Sequence, residues 1–96
     1  MNTFRLEMVT PEETYPARAV EAVDVPAAYG RLTVLAGHEP FVCSLGPGEL
    51  RIRPAPDAGG GETPTVDETW TVRRGTLVVE RESVTLLVRG AERKAP

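Results

Sequence analysis

Cysteine, histidine and aromatic side chains are scarce in this chain of 96 residues, which carries one cysteine, Cys43, one histidine, His38, and only Phe4, Tyr15, Tyr29, Phe41 and Trp70 as aromatics. A lone cysteine cannot form an internal disulfide, and a secreted domain of this size would usually carry several, so a reducing, cytoplasmic setting is expected. A lone histidine leaves a metal site short of ligands, and neither CxxC nor HExxH spacing occurs, so no metal is expected. Long apolar runs are missing as well. Nothing approaches the roughly 20 residues that span a bilayer, and "MNTFRLEMVT" mixes charge with hydrophobes instead of forming a signal-peptide core. Any membrane association is therefore expected to be indirect, through partners. There is no basic block: 11 basic residues face 14 acidic ones for a net charge of -3. Without clustered cations there is little counterion release to gain on a phosphate backbone, which excludes nucleic acid as the expected partner. No GxSxG elbow is present, and the glycines at 59–61 lack the Lys-Ser/Thr ending of a phosphate loop. No cofactor is expected.

What the chain has is alternation. In "TFRLEMV", Phe4, Leu6 and Met8 share one face while Arg5 and Glu7 share the other, as a half-buried strand requires. "RLTVL" puts Leu32 and Val34 inward, "ELRIR" does so with Leu50 and Ile52, and "TWTVR" with Trp70 and Val72. "GTLVVE" from Gly75 and "SVTLLVR" from Ser83 are joined by Arg81 and Glu82, which suits a tight hairpin. "ARAVEAVDV" from Ala17 is a further strand whose alanines weaken the pattern. Nine prolines and nine glycines cut the chain into short pieces, and no segment offers a helical stripe. Hydrophobic residues make up 41 % of the chain, enough for one core. Short strands at this spacing need two layers to bury their apolar faces, which predicts an all-β, flattened antiparallel sandwich or barrel. Its body should span residues 1–90, with a mobile loop at 54–64 where "PAPDAGGGETP" cannot hold strand geometry, and a short tail at 91–96.

His38 is the one residue that invites a chemical role. As a base it could pair with Ser44 or Cys43, but nothing visible supplies an oxyanion hole. As a turn residue it could hydrogen-bond nearby backbone or contact another protein. The acidic pairs Glu12 and Glu13, and Glu80 and Glu82, flank expected turns, where charge keeps strand ends solvated.

The order of motifs narrows these readings. Thr10, Pro11 and Glu12 close the first strand; Gly30, Arg31, Leu32, Thr33, Val34, Leu35, Ala36, Gly37, His38, Glu39 and Pro40 follow; then come Leu45, Gly46, Pro47 and Gly48, and downstream "VRRGTLVVERESVTLLV". Across nearly the whole chain this series resembles the N-terminal domain of the epsilon subunit of F-type ATP synthases, with its Gly-x-Leu-Gly-Ile/Val-Leu-Pro-Gly-His-x-Pro run and its Leu-Lys-Pro-Gly turn. The resemblance implies a flattened sandwich of about ten strands in the rotor's central stalk, binding the gamma subunit and the c-ring, coupling ion translocation to ATP synthesis and hydrolysis, and catalysing nothing itself. It also implies a peripheral place on the cytoplasmic face of the inner (plasma) membrane. A stiff sandwich suits that task, because torque must cross it without loss. By the same match Ala28, Tyr29, Gly30 and Arg31 form the loop that faces the c-ring. Thr10, Gly37, His38, Glu39, Pro40 and Cys43 lie toward gamma or its junction with the ring.

Some positions depart from the family pattern. Arg31 stands where an acidic residue is common, which leads to the expectation that the ring loop it meets carries a compensating acid or lacks the usual base. Ala36 replaces a proline, and Arg74 and Thr76 replace a glycine and a phenylalanine. The two-helix domain that follows the sandwich in most bacterial members, and inhibits hydrolysis there, is not expected after "GAERKAP", so helix-mediated autoinhibition is not expected either. Two rival readings are a stand-alone β-sandwich binding a small ligand or glycan, which calls for a concave aromatic platform, and a small hydrolase using His38.

Overall fold

The computed structural model describes residues 2–56 and 67–94. Among these residues there are nine strands and no helix. In chain order they are β1 (Phe4–Val9), β2 (Thr14–Ala27), β3 (Gly30–Leu35), β4 (Phe41–Leu45), β5 (Gly48–Pro54), β6 (Glu68–Val72), β7 (Gly75–Val79), β8 (Ser83–Val88) and β9 (Ala91–Arg93). The all-β sandwich expected from the alternation is the observed fold.

The two layers share a strand. The first half of β2 pairs antiparallel with β1, whose other edge runs parallel to β8, and β7 and β4 complete that layer. The second half of β2 lies between β3 and β5, and β6 and β9 extend that second layer. Counting β2 in both layers gives the ten strand positions expected of the fold. Its 14 residues pass from one layer into the other, and register shifts interrupt its pairing with β1 between Leu6 and Met8 and with β5 between Val20 and Ala22.

The period-two residues meet between the layers. Leu50, Ile52, Leu77, Leu86, Val20, Val23, Val25, Val34 and Val72 are fully buried, and Trp70 and Phe4 close the core's ends. Each such aliphatic side chain contributes about 1.5–3 kcal/mol on burial. Gly75, opposite Val88, allows the closest approach of β7 to β8: a Cβ there would stand 2.2 Å from the Leu87 carbonyl oxygen. The β7–β8 hairpin turns on Arg81 and Glu82, as expected, with the Glu80 amide donating to the Ser83 carbonyl at 2.8 Å.

Two boundaries differ from the sequence reading. Residues 91–93 form β9 on the edge of β6, so the sheet runs into the segment assigned to a tail. A short polar stretch with one inward apolar residue, Ala91, carries too little alternation to be recognised as a strand. Pro54, placed in the loop, ends β5 opposite Val20, and the Ala55 amide donates to the Ala19 carbonyl at 3.2 Å. The remainder of the expected loop, from residue 57 onward, lies outside the described residues.

Candidate functional site

The outer faces of the two layers differ in chemistry. Strands β4, β7 and β8 are adjacent and contain no charged residue. Their outward side chains align in two rows across the sheet. One row runs Val42, Val78, Thr85; the other runs Ser44, Thr76, Leu87 and on to Val9 of β1. Val42 is 66 % exposed and Leu87 45 %. Charge resumes at Glu7 and Arg5 on β1 and, beyond the ends of β7 and β8, at Arg74 and Arg89 on one side and Glu80 on the other.

On the opposite layer, Asp24 lies between Thr33 and Arg51, and Glu49 lies beside Thr71. Ion pairs cross this face: Arg31 with Asp24 at 3.3 Å, Arg53 with Asp67 at 3.3 Å and Lys94 with Glu49 at 2.6 Å. Lys94, as a hydrogen-bonding cation, holds the Glu49 carboxyl below the usual carboxylate range.

The loop residues singled out from the sequence fall into two groups at opposite ends of β3. Ala28 and Tyr29 form the two-residue tip between β2 and β3, bracketed by the Ala27–Gly30 pair. The Ala28 amide donates to Ser44 and the Gly46 amide to Pro26, fastening the tip to the end of β4. The second group follows β3. Gly37, at φ 82, makes a left-handed turn that glycine adopts without steric cost, and it is followed by a His38 amide donating to the Leu35 carbonyl at 3.3 Å. The His38 ring stacks at a tilt on Phe41, with centroids 4.9 Å apart, and its Nδ1 lies 3.0 Å from the Glu39 carbonyl oxygen. His38 is an exposed turn residue with no acidic or nucleophilic side chain bonded to its ring. Glu39 and Pro40 are exposed beside it. Six residues of β3 put about 17 Å between the groups, so one junction does not contain both.

Three positions behave differently from expectation. Cys43 faces inward between the layers with Phe41 and Leu45, and the outward neighbours are Val42 and Ser44. Desolvation pushes its thiol up, with the Tyr29 side chain opposing. Arg31 is not a free charge, because its guanidinium holds both the Asp24 carboxylate and the Glu49 carbonyl. The compensating acid is thus inside the chain. Thr10 is occupied in its own turn, its hydroxyl accepting from the Glu13 amide at 3.0 Å.

A further constellation went unnoticed in the sequence. Glu68 is held by two bonds from Arg18 at 2.7 Å each and one from the Trp70 indole at 3.2 Å, with Arg93 at 3.9 Å. Arg18 belongs to one layer and Glu68 to the other, so the pair closes the sandwich along one side. The double hydrogen bond from Arg18 is the main reason the Glu68 carboxyl sits below its ordinary range. Nothing in the sequence ties two residues fifty positions apart. Tyr15 packs edge-on against Trp70 at 5.1 Å, Trp70 and Phe4 are buried, Phe41 lies under His38, and Tyr29 is exposed apart from the other aromatic rings. The aromatics therefore make no platform for a glycan. Among the described residues no three His, Cys, Asp or Glu side chains group together as metal ligands.

Residues 3–94 match the family model described as ATP synthase, Delta/Epsilon chain, beta-sandwich domain. The ATP synthase epsilon chain of Desulfosudis oleivorans is 36% identical over 91 residues, covering 95% of this chain and 62% of the relative. That of Prochloron didemni is 32% identical over 90 residues, 94% of this chain and 60% of the relative. The chain thus spans about 60 % of the length of these relatives. The fold is shared with a chain in the Euglena gracilis mitochondrial ATP synthase structure of OSCP, F1 and c-ring, at TM-score 0.80, 23% identity, and coverage of 97% of this chain and 54% of that one. It is shared also with a chain of the Tetrahymena thermophila mitochondrial central stalk and c-ring, at TM-score 0.72 and 14% identity, covering 91% and 63%. With a shared-strand sandwich that carries the expected motifs in order and a family match across nearly its whole length, the chain belongs to the delta/epsilon β-sandwich family of ATP synthase.

Proposed function

We propose that this chain serves as the epsilon-type central-stalk subunit of an F-type ATP synthase rotor, seated on gamma through the outer face of β4, β7 and β8. The observation that supports this most is the uncharged face itself. Three adjacent strands present Val42 and Leu87 exposed and Val78 half-buried among hydroxyl side chains, while the opposite layer carries three ion pairs. An interface core is poor in charge and apolar at its centre, and a permanent stalk contact needs such a surface. Thr10 and His38 lie at the margins of this face, as rim contacts.

On the same reading the β2–β3 tip, Ala28 to Arg31, meets the c-ring, and the membrane is reached only through that ring. The subunit transmits torque and does no chemistry.

Titration calorimetry against the cognate gamma subunit tests the reading. Saturable one-to-one binding is expected, lowered about threefold by His38→Ala, as for a rim residue. Absence of heat and of co-elution at protein concentrations of about 50 μM, a level that would detect even weak association, would sink it.

A further inference from the structure

We infer that the β2–β3 tip engages its partner through Tyr29 as a charge-neutral aromatic contact, with Arg31 withheld from the interface as an internal strut. This rests on the proposal that the tip faces the c-ring. Arg31 is the obvious candidate for an ionic contact, being the only cation beside the tip on β3, yet its guanidinium is committed twice. One Nη donates to the Glu49 carbonyl on β5 and the other pairs with the Asp24 carboxylate on β2 at 3.3 Å. The first bond has a structural reason. The β2–β5 ladder ends at Asp24 and Arg51, and Pro26 beyond it has no N–H to continue it. Arg31 satisfies the carbonyl instead, reaching across β2 from the far strand. The next charges, Glu49 and Lys94, are paired with each other at 2.6 Å. Arg31 and Lys94 are therefore paired with Asp24 and Glu49 within the chain, and Arg51, opposite Asp24 on β5, is the further cation of this region.

What the tip leaves largely exposed is Tyr29, 73 % exposed and the most exposed large hydrophobic side chain among the described residues, its hydroxyl near the Cys43 thiol. Its backbone is rigid, fixed by the Ala28 and Gly46 hydrogen bonds, so little conformational entropy is lost when the ring docks. A rigid, exposed tyrosine in a neutral surround suits a partner loop that is polar and uncharged, and contacts of that kind respond weakly to salt.

The experiment measures retention of this chain, bound to gamma, on the purified c-ring at about 0.05 and 0.5 M salt, where screening lengths differ roughly threefold. Wild-type retention is expected to change less than about twofold between the two salts. Tyr29→Ala should weaken ring binding about tenfold at both while leaving gamma affinity unchanged. Because Arg31→Met alone strands Asp24, the pair is removed together, and Asp24→Asn/Arg31→Met should bind the ring within about twofold of wild type. Strongly salt-dependent binding that the double substitution abolishes would overturn the inference in favour of an ionic contact. So would Tyr29→Ala with no effect. A wild-type chain that binds gamma but never the ring would overturn it together with the placement of the tip, whereas the preceding results leave that placement standing.

Discussion

The two outer faces of the sandwich are built from the same backbone geometry and carry opposite chemistry. Across β5 and β3, outward positions hold Arg53, Glu49 and Arg31, tied into pairs with Asp67, Lys94 and Asp24, together with Arg51 and an exposed Leu35. Across β4, β7 and β8, outward positions hold valine, leucine, serine and threonine. Paired charges on a sheet resist edge and face association, and each exposed pair stabilises the fold only slightly. The uncharged face lacks that protection. The difference teaches that one backbone geometry can present paired charge on one layer and an apolar centre on the other, and substitutions placed on each face can break or sharpen this contrast.

The largest effect should come from charge on the uncharged face. Val42→Asp is expected to weaken gamma binding by about 3 kcal/mol, roughly a hundredfold, by burying an unpaired carboxylate, whereas Arg51→Asp on the opposite face should change it less than about twofold. Calorimetry of both variants decides the matter, and equal losses would erase the distinction. Next is Gly75→Ala, which drives a methyl group into the Leu87 carbonyl and should cost about 3 kcal/mol, lowering the melting temperature by more than about 10 °C. A neutral outcome would mean that β7 and β8 separate readily.

A smaller effect is expected at the seam between the layers. The Glu68 carboxyl lies below its usual range, so the stability it contributes is present above the ordinary carboxylate pKa and is lost as pH falls through the depressed folded-state value. Arg18 is partly exposed, which screens the pair, and Glu68→Gln should cost about 1 kcal/mol near neutrality. The gap in melting temperature between wild type and variant should close as pH falls below the ordinary carboxylate pKa and through the depressed folded-state value; a gap that stays constant would assign the loss to packing. Smallest is Arg53→Ala, whose exposed partnership with Asp67 should be worth less than about 0.5 kcal/mol.

Much of this fold was legible because one face of most strands is wet and polar. The alternation in "TFRLEMV" and "ELRIR" located β1 and β5 and named their buried residues. Strand β4 escaped the same test for a physical reason. Val42 points outward yet is apolar, so "FVCSL" shows no clean period, and the residue that hides the strand is the one that suits it to a partner. The motif order pointed to Thr10 and Cys43, but a resemblance marks positions along a chain and not the side of a sheet. Cys43 faces in, and the outward surface belongs to its neighbours. Arg31 could be seen in the sequence as a reversed charge, but its neutralisation by Asp24 depends on adjacency across β2. The Glu68 cluster needed both layers in place before it existed.

The strand common to both layers has a consequence for how the chain folds. β2 makes hydrogen-bonded neighbours of β1, β3, β4 and β5, so neither layer can be completed before it is laid down, nor dismantled while it remains. The pairings of β1 with β8 and of β4 with β7 join segments far apart in sequence and make for slow, barrier-limited assembly. They also bind the halves into one cooperative unit, in which the amides of Val20 to Val25 exchange with solvent only when the whole domain opens.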